Sequence, residues 1–255
     1  MPVDFLEAMY GISCGRCENM RIECAWEHNG DDSLLYAISF PGAYTRGENL
    51  AVAMAKMPAE ICSYLQWLHR PVPEKIYIDI VQDVPSVLQI SDADSDVLFR
   101  DEKSPLTLSE YQEFKGLALK SASDFLALYQ TIPNQEICDR PLRRTFYGQV
   151  PATATQMYLH TKNVNAYYFG EIGVDADNEG TILDCRIRGF TQLEAMDGCF
   201  LENPIIEGSY GEQWTLRKVL RRFIWHDRIH AKAMYRLAKR ICGRDPIPNI
   251  FCFDE

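Results

Sequence analysis

Residues 212–243 carry the pattern that most constrains the fold, a long amphipathic helix with two histidines at its centre. Apolar side chains recur there at steps of three and four residues, the spacing of one buried helix face. These apolar residues are Leu216, Val219, Leu220, Phe223, Met234, Leu237 and Ile241. His226 and His230 continue the same series, so both imidazoles are predicted to point into a core. A polar ring in a core needs a partner, because burying it without one costs free energy.

Two histidines four residues apart on a helix can meet at one metal ion. Their Cβ atoms lie about 5–6 Å apart, and an N–metal bond is about 2.0–2.1 Å long. An isolated pair such as His226 and His230 is more often two core histidines, and that alternative stays open. His160 favours a metal site over a simple pair of core histidines, because it occupies a matching core position in a second predicted helix. The three histidines together predict a metal site, although a fold that kept them without activity is the other interpretation.

The charge of the chain is unevenly distributed. The net charge is −10, yet residues 212–244 hold ten basic side chains against the two acids Glu212 and Asp227. A basic helix of this kind can contact nucleic acid through phosphates. We favour a structural explanation, in which basic side chains fill the outer face and the final turns of the helix and pair with acidic neighbours. Nucleic acid is therefore not an expected partner.

The cysteines indicate a reducing compartment. The nine cysteines are odd in number and scattered, unlike a disulfide framework. Cys14 and Cys17 form a CxxC motif, but no second pair completes a zinc knuckle and the motif precedes a predicted strand rather than opening a helix. We assign no function to that pair. No signal peptide or membrane span is readable, so we expect a cytoplasmic protein that does not bind membranes.

The 255 residues have room for one large domain or two small ones. We predict two, the first at 20–90, after an N-terminal arm at 1–19. Strands are predicted at 21–28, 33–42, around Tyr44 and Thr45, and at 75–84, with a helix from Gly47 to Arg70 before the last strand. The order is β-β-β-α-β. The run ISFPGAYTRGENLAVAMAKMPAEICSYLQWL resembles the HicB-like antitoxin domain. The resemblance implies a small α/β fold whose relatives often carry a DNA-binding element and cap a small RNase toxin.

The second domain is predicted to be entirely helical. The acidic, polar residues 91–105 are expected to form a linker, and residues 244–255, rich in proline, an extended tail. Between them, amphipathic segments predict a four-helix bundle over 106–243, so that the fold class is α+β. The predicted helices are 106–132, 152–172, 188–203 and 212–243.

The segments YLHTKNVNAYYFGEI and RKVLRRFIWHDRIHAKAMYRLA resemble the DinB-like family of four-helix metalloenzymes, over about 106–243. The resemblance implies that His160, His226 and His230 bind a divalent transition metal, with zinc or nickel the first candidates. It also implies a thiol-dependent transferase or hydrolase acting on a small molecule, possible homodimers, and no assigned catalytic residue. Asp197, Asp227 and Tyr167 are candidates for orienting a ligand imidazole.

A non-enzymatic function is the alternative. In it, the protein is a stress or regulatory binding protein whose HicB-like domain contacts a partner and whose bundle senses metal or dimerises. An open coordination position favours the enzyme, whereas an exposed apolar patch on the small sheet favours the binding protein.

Overall fold

The computed structural model describes residues 19–254 except 146–147, 197–198 and 244–246. It divides the chain into two compact units, one containing residues up to Ser91 together with Cys252–Asp254, and the other containing Asp92–Phe251. Cys14, Cys17 and all but the last residue of the arm predicted at 1–19 lie outside the described residues. Among the helices that are described, none combines the length and the apolar character needed to cross a membrane.

The first unit contains a four-stranded sheet and one helix, in the predicted order. Its elements are β1 (Asn19–His28), β2 (Ser33–Ala37), β3 (Tyr44–Gly47), α1 (Leu50–Trp67) and β4 (Lys75–Pro85). The strand order across the sheet is β3-β2-β1-β4, with β1 antiparallel to β2 and parallel to β4. The crossover from β3 to β4 through α1 gives the parallel pair its necessary long connection.

Local chemistry explains where these elements turn and start. Between β1 and β2, Gly30 adopts a φ of 93°, and the Asn29 side chain accepts hydrogen bonds from the backbone N–H groups of Asp31 and Asp32 at 3.0 Å. Helix α1 begins after Asn49, whose side chain accepts from the N–H of Val52 at 3.0 Å. The strand predicted at 33–42 ends at Ala37, because residues 38–43 form a turn in which Gly42 has a φ of 88°.

The second unit contains four long helices among its described residues. They are α2 (Leu108–Gln130), α3 (Ala154–Gly170), α4 (Ile182–Ala195) and α5 (Leu216–Ile241). Two short hairpins accompany them, β5 (Arg144–Thr145) with β6 (Gly148–Gln149) and β7 (Ile206–Glu207) with β8 (Gln213–Trp214). Helix α5 packs against α2 and α3, and α4 also packs against α2 and α3. The bounds of α2, α3 and α5 agree with the predicted ones to within four residues.

The prediction for α4 was wrong in its bounds, since the helix covers Ile182–Ala195 rather than 188–203. A capping box starts it: the Thr181 hydroxyl accepts from the N–H of Asp184 at 3.2 Å, and the Asp184 carboxylate accepts from the N–H of Thr181 at 3.0 Å. The helix ends where Met196 turns extended. Gly189 brings α4 close to α3, because a Cβ there would lie 2.1 Å from the Phe169 ring.

The segment predicted as a linker is packed into the second unit from residue 92 onward. Val97 and Phe99 are buried, and so is Glu102, which forms an ion pair with Arg221 of α5. The polar composition of 91–105 therefore predicted a solvated linker, whereas Glu102 in this segment forms a buried ion pair with Arg221. Of the predicted tail, residues 247–254 are described outside any helix or strand.

Helix α5 is buried over most of its circumference. Every residue from 218 to 228 is buried, including four of the basic side chains: Lys218, Arg221, Arg222 and Arg228. The prediction that basic residues fill the outer face is therefore wrong for these four. Lys218 and Arg222 both pair with the carboxylate of Glu212, at 2.8 and 3.2 Å. Such pairing offsets the desolvation of the charges.

Candidate metal site

The three histidines singled out in the sequence meet in the second unit. His160 lies on α3, and His226 and His230 lie one turn apart on α5. Each can offer one ring nitrogen such that the three nitrogens lie within 4.8 Å of one another. The Nε2 atoms of His160 and His226 are 3.2 Å apart. This is the one group of metal-ligating side chains with such spacing in the described part of the chain.

The helices that carry the histidines are started by side-chain caps. The Thr215 hydroxyl accepts from the N–H of Lys218 at the beginning of α5, and the Thr153 hydroxyl accepts from the N–H of Gln156 at the beginning of α3, both at 3.1 Å. Beyond the caps, aromatic rings pack beside the site. Tyr168 lies edge-on to His226, with ring centroids 6.1 Å apart, and it contacts Phe223 at 5.4 Å.

Burial keeps the imidazoles neutral. It lowers the pKa of His226 far below the ordinary value, and the neighbouring His230 and His160 lower it further. Burial, with His160 as the second cause, lowers the pKa of His230 to about 3. The pKa of His160 is also lowered by burial. Near neutral pH, each ring therefore keeps a lone pair that a metal ion can accept.

The spacing of the imidazoles is compatible with a shared metal ion as well as with a hydrogen bond between His160 and His226. Two nitrogen ligands of a tetrahedral ion with bonds of about 2.0–2.1 Å lie about 3.3–3.4 Å apart, close to the 3.2 Å between His160 and His226. The Nδ1 atom of His226 is buried without a hydrogen-bond partner. A metal bound at Nε2 would leave the proton on Nδ1, which has no acceptor among the described protein groups.

Of the three candidates for orienting an imidazole, Asp227 and Tyr167 contact other groups. Asp227 is fully buried but accepts hydrogen bonds from Ser121 and Arg186, so it does not serve a histidine. Tyr167 is 39% exposed and lies edge-on to Trp214 at 5.9 Å. Asp197 lies outside the described residues. Tyr168, the neighbour of Tyr167, is the tyrosine that contacts His226.

Sequence reasoning missed Arg186, which lies buried on α4 near the site. The helix had been predicted to begin at 188, so Arg186 fell outside it. A signal was nevertheless available in Ser121, a polar residue within the apolar series of α2. A polar residue at a core position implies a buried hydrogen-bond partner.

In chemical terms, three neutral imidazoles can hold a divalent transition metal and leave a position for water or a substrate atom. Comparisons with known proteins found no match for this chain among family models, curated proteins or solved structures.

Proposed function

We propose that the protein is a metal-dependent enzyme of the DinB-like type. In this proposal the four long helices of the second unit form a four-helix bundle, and His160, His226 and His230 hold zinc or nickel. The reaction is a transfer or a hydrolysis on a small molecule, with a low-molecular-weight thiol as the candidate co-substrate. The convergence of three neutral imidazoles within 4.8 Å is the observation that carries the proposal.

The side chains around the site support such chemistry. When bound, the metal supplies a Lewis acid that lowers the pKa of a ligated water or thiol. The three histidines bind through neutral nitrogens. Tyr168 packs edge-on to His226 and Phe223 packs on Tyr168, which we expect to limit water on this side. Arg222 lies one turn before His226 on α5 and adds positive charge near it. We infer that this environment favours an anionic group at the open position.

The experiment compares metal-free protein with protein reloaded with zinc or nickel. Each is assayed with thiols and a chromogenic electrophile, and with chromogenic esters. We expect turnover only in the loaded wild type, with loss in His226→Ala. The matched control is His69→Asn, since His69 is exposed and has a φ of 53°, which asparagine tolerates. A wild-type protein that retains neither metal would refute the proposal.

A binding function is the second candidate, and one observation favours it. Strand β4 lies at an edge of the sheet in the first unit, and Tyr77 and Val81 on this strand are 46% and 38% exposed. Exposed apolar residues on an edge strand are suited to pairing with another chain. Light scattering of wild type and of Tyr77→Lys tests whether this edge forms a homodimer. Metal binding without turnover of any substrate would favour this candidate.

A further inference from the structure

A second constellation beside the histidines consists of a fully buried ion pair. Arg186 of α4 and Asp227 of α5 are both 0% exposed. The guanidinium donates from Nη2 to Oδ1 at 3.3 Å and from Nη1 to Oδ2 at 3.4 Å, and the Ser121 hydroxyl donates to Oδ2 at 2.8 Å. Asp227 directly follows His226 in the chain. The pair is therefore anchored one residue away from a proposed metal ligand.

The network extends to all four long helices of the second unit. Ser121 belongs to α2, Arg186 to α4 and Asp227 to α5. On α3, which carries His160, the Asn165 side-chain oxygen accepts from Nε of Arg186 at 3.3 Å. The amide of Asn165 in turn donates to the carbonyl oxygens of Asp177 and Cys185, at 2.9 and 3.2 Å. One arginine thus links the two helices that bear the three histidines.

Arg186 also contacts α5 one turn before Asp227. Its guanidinium lies over the ring of Phe223, 3.6 Å from the centroid, and Phe223 is one turn before Asp227. An arginine stacked on one residue and bonded to another on the same helix restrains both the height and the rotation of that helix. Successive helix residues differ by about 100° in direction, since a turn has 3.6 residues. Holding Asp227 toward α4 therefore determines the direction in which His226 projects.

Stability alone is a poor explanation for such a pair. Desolvating two charges costs several kcal/mol, and apolar residues of similar volume often replace a buried pair with no loss of stability. Both side chains are 0% exposed, so the full desolvation cost applies to this pair. The best supported use of a buried polar pair is to specify one arrangement of helices among several.

We propose that Arg186 and Asp227 are positioning residues, which hold α5 against α3 so that His226 and His230 meet His160. This inference rests on the proposed metal site. It assigns to the pair a role in metal affinity and coordination geometry that goes beyond holding the fold together.

The test replaces the pair by apolar residues in the double variant Arg186→Met/Asp227→Leu. The matched control is Glu102→Met/Arg221→Met, which removes another buried ion pair of α5. Thermal unfolding with chelator measures the metal-free fold. Competition with a chromophoric chelator measures zinc affinity, and the visible spectrum of bound Co²⁺ reports coordination geometry.

We expect the Arg186/Asp227 variant to lose zinc affinity by on the order of tenfold or more, the range seen when residues supporting metal ligands are removed, and to show an altered Co²⁺ spectrum. The control variant should keep the wild-type affinity and spectrum. If the double variant does not fold, Arg186→Lys replaces it, because lysine keeps the charge but lacks the planar fork. Its zinc affinity should then fall with an altered Co²⁺ spectrum.

The outcomes separate this inference from the proposed function. A folded Arg186/Asp227 variant with wild-type affinity and spectrum, or a control that loses as much affinity, would overturn the inference and leave the metal site standing. An unchanged affinity and spectrum in Arg186→Lys would overturn it equally. Wild-type protein without zinc affinity would instead overturn the proposed function, and this inference with it.

Discussion

At the scale of single residues, burial is the main control on the three histidines. Burial lowers the pKa of each imidazole, because a charged ring is poorly solvated away from water. The basic side chains Arg222 and Arg186 lower the pKa of His226 further, after the other two histidines. The protein therefore keeps these rings neutral under conditions in which an exposed histidine would be partly protonated.

The first prediction concerns the pH dependence of metal-free stability. An unfolded chain protonates these histidines near pH 6.5, whereas in the folded state the pKa of His230 is about 3 and that of His226 is well below the ordinary value. The unfolded state therefore binds more protons below pH 6.5, and stability present above that pH is lost as pH falls. The slope reaches about 1.4 kcal/mol per pH unit for each histidine.

Denaturant unfolding between pH 7.5 and 5 with chelator checks this prediction. The double variant His226→Asn/His230→Asn serves as the control, since asparagine does not titrate. Its stability should change less over this range. Equal slopes in the two proteins would contradict the prediction.

The placement of the histidines was predictable from spacing, but their surroundings were not. His160, His226 and His230 continue apolar series on two helices, and helical periodicity is a local property. The partners of Asp227 are remote in sequence, because Ser121 is 106 residues away and Arg186 is 41 residues away. Spacing within one helix places Ser121 at a core position but does not identify its partner.

At the scale of elements, the start of α4 shows how a cap decides a helix boundary. Ile182 and Cys185 continue the buried apolar series of Phe190 and Leu193 back into the first turn, but a cap is the signal for where the helix begins. Thr181 and Asp184 supply that signal through reciprocal hydrogen bonds. Because α4 begins at Ile182, Arg186 lies one turn inside the helix and reaches Asp227.

The second prediction is that Thr181→Ala destabilises the second unit by about 0.5–2 kcal/mol. The loss arises because the N–H of Asp184 no longer has its side-chain acceptor. Thr191→Ala is the matched control, since Thr191 is exposed within α4 and its hydroxyl bonds only the carbonyl of Ile187 in the preceding turn. This control should change stability by less than about 0.5 kcal/mol. Equal losses in both variants, measured by thermal unfolding, would refute the role of the cap.

At the scale of the whole molecule, charged side chains lie in the interior as well as on the surface. The chain has a net charge of −10, yet α5 buries Lys218, Arg221, Arg222 and Arg228. The acidic segment before α2 supplies Glu102 to Arg221. Composition alone predicted a solvated linker and a basic outer face, because it records charge but not the partner that makes burial possible.

The third prediction follows from this buried pair. Glu102→Ala should destabilise the second unit by about 3–5 kcal/mol, since Arg221 would remain buried without its carboxylate partner. The N–H of Phe99 would also lose its acceptor, which lies 2.8 Å away. Asp101→Ala is the control, because Asp101 is exposed. A Glu102→Ala protein as stable as the control would show that 92–105 behaves as a free linker.

The fourth prediction is that the protein does not bind nucleic acid. Phosphate binding requires accessible basic side chains, and four of those on α5 are buried in a chain of net charge −10. A gel shift with duplex DNA and with single-stranded RNA should show no retardation at about 0.1 M salt. Retardation that disappears as salt rises would contradict this.

The order of elements was predictable at this scale, whereas the assembly of the second unit was not. Turn residues such as Asn29 and Gly30 and the apolar periods determine which segments are strands and helices. That the first unit is a HicB-like domain stays a prediction, because the order of elements alone does not test it. Packing of 92–105 onto α5 depends on contacts such as Glu102 with Arg221, which lie 119 residues apart.

X-ray absorption at the zinc edge tests the central claim most directly, that three histidines share one metal ion. The fifth prediction is that zinc-loaded protein shows nitrogen scatterers at about 2.0–2.1 Å with the signature of three imidazoles. His230→Ala should show a reduced imidazole signal. Sulfur scatterers at about 2.3 Å, or a wild-type spectrum unchanged in His230→Ala, would contradict the account.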